Sequence, residues 1–532
     1  MPVSNFHKNA QRVFYPTFDG GLNLAVPPES LAKNELKVAT NVEFSPSTGA
    51  MTVRGGLVWY GRFSYANDSV LPVAGKQAFL VRRKGKEDAV TKKYTPTKTL
   101  QYYKWNYIWP VSGSLTGTGE LSIVQWGDCH LIASGGKLQK FTDSETPKLE
   151  TIEHSPAKCC YVFVRDGRVG VIDGDDTLRF SAVGDCESET SWTNVADQPS
   201  SSQYIRVGYK DGMTVDAIVP LSRDLIVLKS PNGESDKGTI YRLIGSYPDW
   251  SVVAVAHNTG TFSQRSVQAV ANDVYYITIA GIASLSSVSS YGDIKAQWPD
   301  RKVSSALTQL LTNTAELWNV PVKQQLWVLP KKDAKQIWVF DYSRGIWTTF
   351  EFPKAIVHAV GVDNSLFVFI DKDLYKVVDG YTVDELRGKN DADGNPTFSK
   401  KQIKAKMQLG TLLTGMQMLV KGVFASFSLL PLCKAVLKIG KFQMVFSGGT
   451  PEYINGYNND GSTDLATMTP SKAEGKNAID IAYSDNDSLF SQSGVLTSRR
   501  QCIVRDWAIT PEVEITGGGC ALSTIGLETA EV

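Results

Sequence analysis

Two residue types that build reactive and cross-linked sites are scarce in this 532-residue chain, which has seven cysteines and five histidines. The cysteine count is odd, Cys159 and Cys160 are adjacent, and no Cys-x-x-Cys pair occurs. That pattern excludes a zinc ribbon and a disulfide framework, and it suits reduced thiols in a protein made in the cytoplasm. His7, His130, His154, His257 and His358 never stand at i, i+4 or His-x-His spacing, so no metal or acid–base pairing is indicated. An excess of one charge is missing too. Fifty-five basic residues meet 54 acidic ones for a net charge of +1, which argues against a globally basic nucleic-acid binder but leaves room for a local patch. Long apolar runs are lacking. Residues 1–16 carry charges and aromatics where a signal peptide has an apolar stretch, and the most apolar segment, 412–437, is interrupted by Lys421 and Lys434. Neither a signal peptide nor a membrane span is expected.

Catalytic signatures fail in the same way. There is no G-x-S-x-G elbow or H-E-x-x-H helix, and each Gly-Lys pair lacks the Ser or Thr that a phosphate loop needs for magnesium. The turns Asp173-Gly174-Asp175-Asp176 and Asp393-Gly394 miss the spacing of a calcium loop. The expectation is a protein with no cofactor, no metal and no catalytic residues, and not an enzyme.

What is present is β-structure. Runs at 160–164, 225–228, 274–277, 326–329, 337–340 and 366–370 are rich in β-branched and aromatic residues, four or five long, and bounded by Gly, Asp, Asn or Pro. They are too short for helices and fit buried strands. One helix is expected, over 302–317, where Leu307, Leu310, Leu311 and Leu317 recur at helical spacing. The strands come in packets (127–141, 166–180, 224–244, 273–285, 324–340 and 364–377), whose markers Leu131, Val169, Leu225, Val274, Leu326 and Leu366 lie 38, 56, 49, 52 and 40 residues apart. Multi-strand repeats of roughly 40–50 residues are the mark of propeller blades. Turns delivering Trp192, Trp250 and Trp347 fit hairpins whose next strand fills a gap between blades. The fold class expected is all-β: a β-propeller of about six blades over 61–390, an N-terminal arm over 1–60 and a C-terminal β-sandwich-like domain over 391–532. A Gly, Asn, Ser and Thr-rich surface loop falls near 448–477.

One charge feature departs from the neutral average. Between Arg82 and Trp109 stand eight basic residues, among them Arg83 and Lys84, against Glu87 and Asp88, interleaved with aromatics that include Trp105. The mixture suits phosphate neutralisation with base stacking. It equally suits a projecting hairpin that docks on a partner, or a solvated hairpin with its aromatic base in the core.

The N-terminal arm holds the most specific motif: Phe18-x-Gly20-Gly21-Leu22-Asn23, then Asn34-Glu35, Asn41-Val42, Gly49 and Arg54-Gly55-Gly56-Leu57. This order resembles the opening of tail proteins of short-tailed bacteriophages, the packaged-DNA stabilization and tail nozzle (tail tubular protein B type) families. The hairpin 341–347 and the stretch 505–515 resemble them as well. The usual Arg-Pro-Gly stands here as Arg54-Gly55-Gly56, and the hairpin 82–109 has no counterpart in that pattern. The resemblance implies a propeller with added β-domains and a structural role in the virion tail. It implies a homo-hexameric ring below the head–tail adaptor and portal that extends the DNA channel, retains the genome and takes part in ejection. Tail fibre, tailspike or needle proteins and transient, non-specific contact with phage DNA are the partners expected. Phe18, Gly20, Gly21, Leu22, Asn23, Arg54, Arg82, Arg83, Lys84, Trp105 and Trp109 are the candidate interface residues. The other class left open is a carbohydrate-binding or carbohydrate-cleaving propeller of the receptor-binding or depolymerase kind, although the repeated S-x-D-x-G-x-x-W turns of sialidase-type propellers occur only in degenerate form.

Overall fold

A computed structural model describes residues 10–531 apart from 46–48, 74–76, 86–95, 105–106, 145, 222–223, 232–233, 271, 289–292, 363–364, 382, 393, 430–432, 448–494 and 518–519. The short apolar runs become strands buried on both faces, and this explains why they do not alternate with polar residues. Along Asp224–Ser230, Leu225 and Val227 join the hydrophobic cluster on one side, while Ile226 and Leu228 join the cluster on the other. Leu326 and Val328 divide from Trp327 and Leu329 in the same manner, as do Leu366, Val368 and Ile370 from Phe367 and Phe369.

These strands build a β-propeller. Six four-stranded sheets stand alone, and a seventh four-strand unit, residues 316–351, is drawn into a ten-stranded sheet. In chain order the units are blade 1 (67–110), blade 2 (122–151), blade 3 (159–206), blade 4 (214–257), blade 5 (267–297), blade 6 (316–351) and blade 7 (358–378). Blade 7 takes its outermost strand, Gly56–Arg62, from before blade 1, so the two ends of the ring are sewn together by backbone hydrogen bonds. Hydrophobic clusters fill the seven interfaces between successive blades, including the one between blades 7 and 1, where Phe79 and Tyr103 meet Phe367 and Phe369. The ring is therefore closed by packing as well as by pairing.

The six markers read from the sequence lie in the second strands of blades 2 to 7. Blade 1 is the segment that carries the basic hairpin. Its strands Ala78–Arg83 and Leu100–Lys104 are central strands, and Tyr102 and Tyr103 are core residues, 0% and 1% exposed. Trp192 sits in the cluster between blades 2 and 3, and Trp250 packs at 4.3 Å on Phe180 between blades 3 and 4. The helix expected over 302–317 is one turn, Ser304–Leu307, and Leu317 belongs to the strand Glu316–Val320. A helix that short has too few internal hydrogen bonds to hold itself. Its leucines are held instead by packing, Leu307 in the core and Leu310 and Leu311 against it.

Beside blade 6 the ten-stranded sheet continues through Glu35–Thr40, Lys404–Leu409, Pro511–Thr516, Lys434–Ile439 and Phe442–Ser447. A second sheet holds Val42–Phe44, Met51–Val53, Cys520–Glu531, Leu412–Leu429 and Val495–Ile509, with Ala10–Tyr15 paired on Cys520–Glu531. Alternate residues of both sheets, such as Met407, Leu437 and Val513 facing Val423, Phe427 and Leu527, share one core. This is a β-sandwich, and the arm is woven into both of its layers. Among the described residues no helix is long and apolar enough to cross a membrane.

Candidate functional site at the propeller axis

The motif residues of the arm lie inside the chain. Phe18 and Leu22 are 0% and 4% exposed. Gly21 has φ +64°, and a Cβ there would stand 2.9 Å from Ile346 Cβ, so only glycine lets the arm pass this close to blade 6. A Cβ on Gly20 would come to 2.7 Å from the Asn34 carbonyl. Asn23 donates to Glu35 at 2.9 Å and accepts from the Ala25 backbone at 3.0 Å. Arg54 uses all five of its N–H donors: two on Asp384 at 2.7 and 3.0 Å, and one each on Asn41 Oδ1, the Gly55 carbonyl and the Glu351 carbonyl. Its guanidinium lies 4.3 Å over the Phe352 ring. These six residues weld the sandwich to blades 6 and 7, and their burial leaves them no surface for a partner.

The hairpin residues divide. Arg82 is buried and bonded to Asp68 at 2.8 Å and to the Gly119 carbonyl at 2.7 Å. Arg83 is exposed, 4.8 Å over the Tyr65 ring, and the Lys84 backbone N–H donates to the Ala66 carbonyl. Trp109 is 36% exposed beside the more open Tyr107 on the outer strand of blade 1. Trp105 lies outside the described residues. The structure thus brings Arg82 to the axis and leaves Arg83 and Trp109 on the surface.

The axis holds a cluster that the sequence did not single out. Arg265, on the turn entering blade 5, reaches Glu120 at 3.1 Å ahead of blade 2 and Glu316 at 3.1 Å at the start of blade 6. It also bonds the Asp68 carbonyl and the Ser69 hydroxyl of blade 1. The remaining carboxylate oxygens are engaged as well: Tyr161 of blade 3 donates to Glu120 Oε2 at 3.1 Å, and Trp318 Nε1 donates to Glu316 Oε2 at 3.0 Å. His358 of blade 7 stands 3.9 Å from Glu316. Glu120 and Arg265 line both a cavity of about 480 Å³ running along the inner strands and one of about 360 Å³ among the loops that enter them. Arg265 is ringed by protein yet keeps about a third of its side chain open to this space.

Burial is the largest influence on each carboxyl. It pushes Glu120 above the ordinary carboxylate range despite Arg265. At Glu316 burial is outweighed by the His358 contact and Arg265 together, and the group is held low. Asp216, whose carboxyl accepts from Ser230 and is raised further by the charge of Glu120, is pushed up to about 7, mainly by burial. Two carboxyls displaced in opposite directions can serve as an acid and a base. Here Arg265 occupies the space between them, and every oxygen of Glu120 and Glu316 has a partner within the chain. The cluster acts chemically as a clasp joining six blades.

A signal for this cluster did exist. Glu120, Arg265, Glu316 and His358 each fall at, or two residues before, the start of an inner strand. They become recognisable once the phase of each blade is known. No group of three or more metal-ligating side chains is formed among the described residues.

No protein-family model and no curated protein matches the chain. Among solved structures it is similar to BBS1N in complex with ARL6DN, at 12% identity and TM-score 0.37, over 61% of this chain and 97% of that one. BamB from Moraxella catarrhalis aligns at 10% identity and TM-score 0.34, over 60% of this chain and 97% of its own. An exo-β-1,3-galactanase from Phanerochaete chrysosporium aligns at 8% and 0.27, over 89% and 99%. Likeness at these levels carries no argument about function.

Proposed function

We propose that this chain is a structural subunit of the tail hub or nozzle of a short-tailed bacteriophage, part of a ring that extends the DNA channel below the portal and adaptor. The observation that carries the reading is the use made of the F-x-G-G-L-N…R-x-G-L motif. The residues that resemble the tail families form the joint between a propeller and an added β-sandwich, the architecture that the resemblance implies. The occupied carboxylates at the axis support a wall-building rather than a bond-breaking role. Negative-stain electron microscopy of the purified chain mixed with a portal–adaptor complex tests it, and rings of defined stoichiometry are expected. A persistent monomer would overturn the reading.

The second reading, a carbohydrate-cleaving propeller, draws on the opposed displacement of Glu120 and Glu316 in one cavity. It requires Arg265 to move from between them. Cleavage of a host capsular polysaccharide that disappears in both Glu120→Gln and Glu316→Gln would favour it over the hub.

A further inference from the structure

The net charge of +1 hides a division along the chain. Residues 383–447 hold ten basic side chains against four acidic ones, and one of those four, Asp384, is buried on Arg54. The fold gathers four of these cations, Lys404, Lys406, Lys434 and Lys438, onto one surface. On the ten-stranded sheet, Ala405, Met407, Ala435, Leu437, Val513 and Ile515 face the core. The residues alternating with them face outward. Lys404 and Lys434 flank Thr516 in one cross-strand row, Lys406 lies opposite Glu514, and Lys438 lies opposite Glu512. The same strand direction leads back through Ile403, whose carbonyl accepts from Gly517, into the ribbon of Val383–Asn390 and Pro396–Gln402. That ribbon carries Arg387, Lys389, Lys400 and Lys401, with Lys400 opposite Glu385 on one of its sides and Lys401 opposite the buried Asp384 on the other. Lys389, Lys401, Lys404 and Lys434 are exposed.

We infer that this outward face of the sandwich, with the ribbon 383–402, is a docking surface for the phosphate backbone of duplex DNA. Lysines on alternate residues of one strand stand about 7 Å apart, and those two strands apart stand roughly 10 Å apart. These spacings are comparable to the screening length at physiological salt, so the charges add to one field. Glu512 and Glu514 on the sheet, and Glu385 opposite Lys400 on the ribbon, offset only part of it. Among the described residues this face carries one large exposed ring, Phe398, which leans on Trp59 at 5.5 Å. A surface that offers lysines without free stacking rings recognises the charge of a backbone rather than splayed single-stranded bases. The contact is therefore independent of sequence and weakens with salt. The inference rests on the hub reading only for the source of the DNA.

The test is fluorescence anisotropy of a labelled 30-bp duplex with the full chain at 50 and 200 mM salt. Binding at 50 mM that falls steeply by 200 mM is expected, with a log–log salt slope of about −3 or steeper. Replacing Lys404, Lys406, Lys434 and Lys438 together by Gln should weaken binding at least tenfold, while Gln at the exposed propeller lysines Lys158, Lys210, Lys237 and Lys331 should leave it within twofold. If the first quartet fails to fold, the pair Lys404→Gln/Lys434→Gln should shift the salt slope by about +2. No duplex binding at 50 mM, equal loss in both quartets, or retention on anionic phosphatidylserine vesicles without duplex binding would each overturn the inference. Ring formation without DNA binding counts against this face alone. DNA binding by a chain that never forms rings counts against the hub and leaves the face standing.

Discussion

Two arginines divide the labour of holding this molecule together, one at the joint between propeller and sandwich and one at the propeller axis. Arg54 is 2% exposed, satisfies all five donors and faces a single carboxylate, Asp384, that is itself 3% exposed. Arg265 faces two carboxylates across a cavity and keeps about a third of its surface open. The first is a sealed weld between two domains, and the second is a clasp beside a cavity, between blades already packed face to face. Charge removed from water without an open route back is costly to unpair, whereas charge beside a cavity can be rehydrated.

The comparison breaks most visibly at the joint. Arg54→Met leaves Asp384 buried without its cation and should cost about 3–5 kcal/mol, read as a large drop in the urea midpoint. Adding Asp384→Leu should restore much of that loss, since the destabilising element is the orphaned charge rather than the missing attraction. If the double variant is as weak as the single one, the pair contributes more than mutual neutralisation. At the axis, Arg265→Met should cost about 1–2 kcal/mol, because water in the cavity can take over part of the solvation of Glu120 and Glu316. A loss as large as that of Arg54→Met would mean that the axial cavity is functionally dry, and the distinction between the two arginines would fall.

A third test uses pH. Burial raises the folded-state pKa of Asp216 to about 7 from an ordinary value near 4, and Glu120 moves in the same direction. Between about pH 4 and 7 the folded chain keeps a proton at Asp216 that the unfolded chain has released. Stability from this group therefore falls as pH rises through that window, and the penalty is complete above it. Asp216→Asn should flatten the fall in urea midpoint between pH 5 and pH 8 and stabilise the chain at the upper end. An unchanged slope would place the pH response elsewhere in the axial cluster.

The same contrast explains what the sequence disclosed. Strands buried on both faces leave continuous apolar runs, so blades 2 to 7 were legible from 131, 169, 225, 274, 326 and 366 onward. Blade 1 was not, because Arg82 and Arg83 end its second strand in charge and the basic stretch from Lys84 onward reads as surface. Burial of Arg82 depends on Asp68 and the Gly119 carbonyl, which come from outside the hairpin. The leucines at 307, 310, 311 and 317 kept helical spacing across a turn and a strand because a shared core selects apolar side chains whatever the backbone does. The axial cluster assembles side chains up to 289 residues apart, from Ser69 to His358, and local pattern carries no trace of such a meeting. The arm motif was visible as a motif, but its use as a weld was visible only once Arg54 and Asp384, 330 residues apart, were seen together.

The smallest effect belongs to the sandwich surface, and it separates stability from binding. Lys406 pairs with Glu512 at 3.6 Å with side chains 44% and 30% exposed, and Lys438 pairs with Glu514 at 30% and 41%. Ion pairs this open gain little over hydration, so Lys406→Met and Lys438→Met should each shift stability by less than about 0.5 kcal/mol. Each change also removes a positive charge and leaves a carboxylate unbalanced on the same face, which should weaken duplex binding beyond the loss of one phosphate contact. A melt indistinguishable from that of the parent, together with a severalfold loss of DNA affinity, would mean that these lysines are held on the surface for what they meet rather than for what they stabilise. A stability loss approaching that of Arg265→Met would instead make the cross-strand ladder part of the fold's own support, and the outward face would then resemble the axis more than it resembles an open surface.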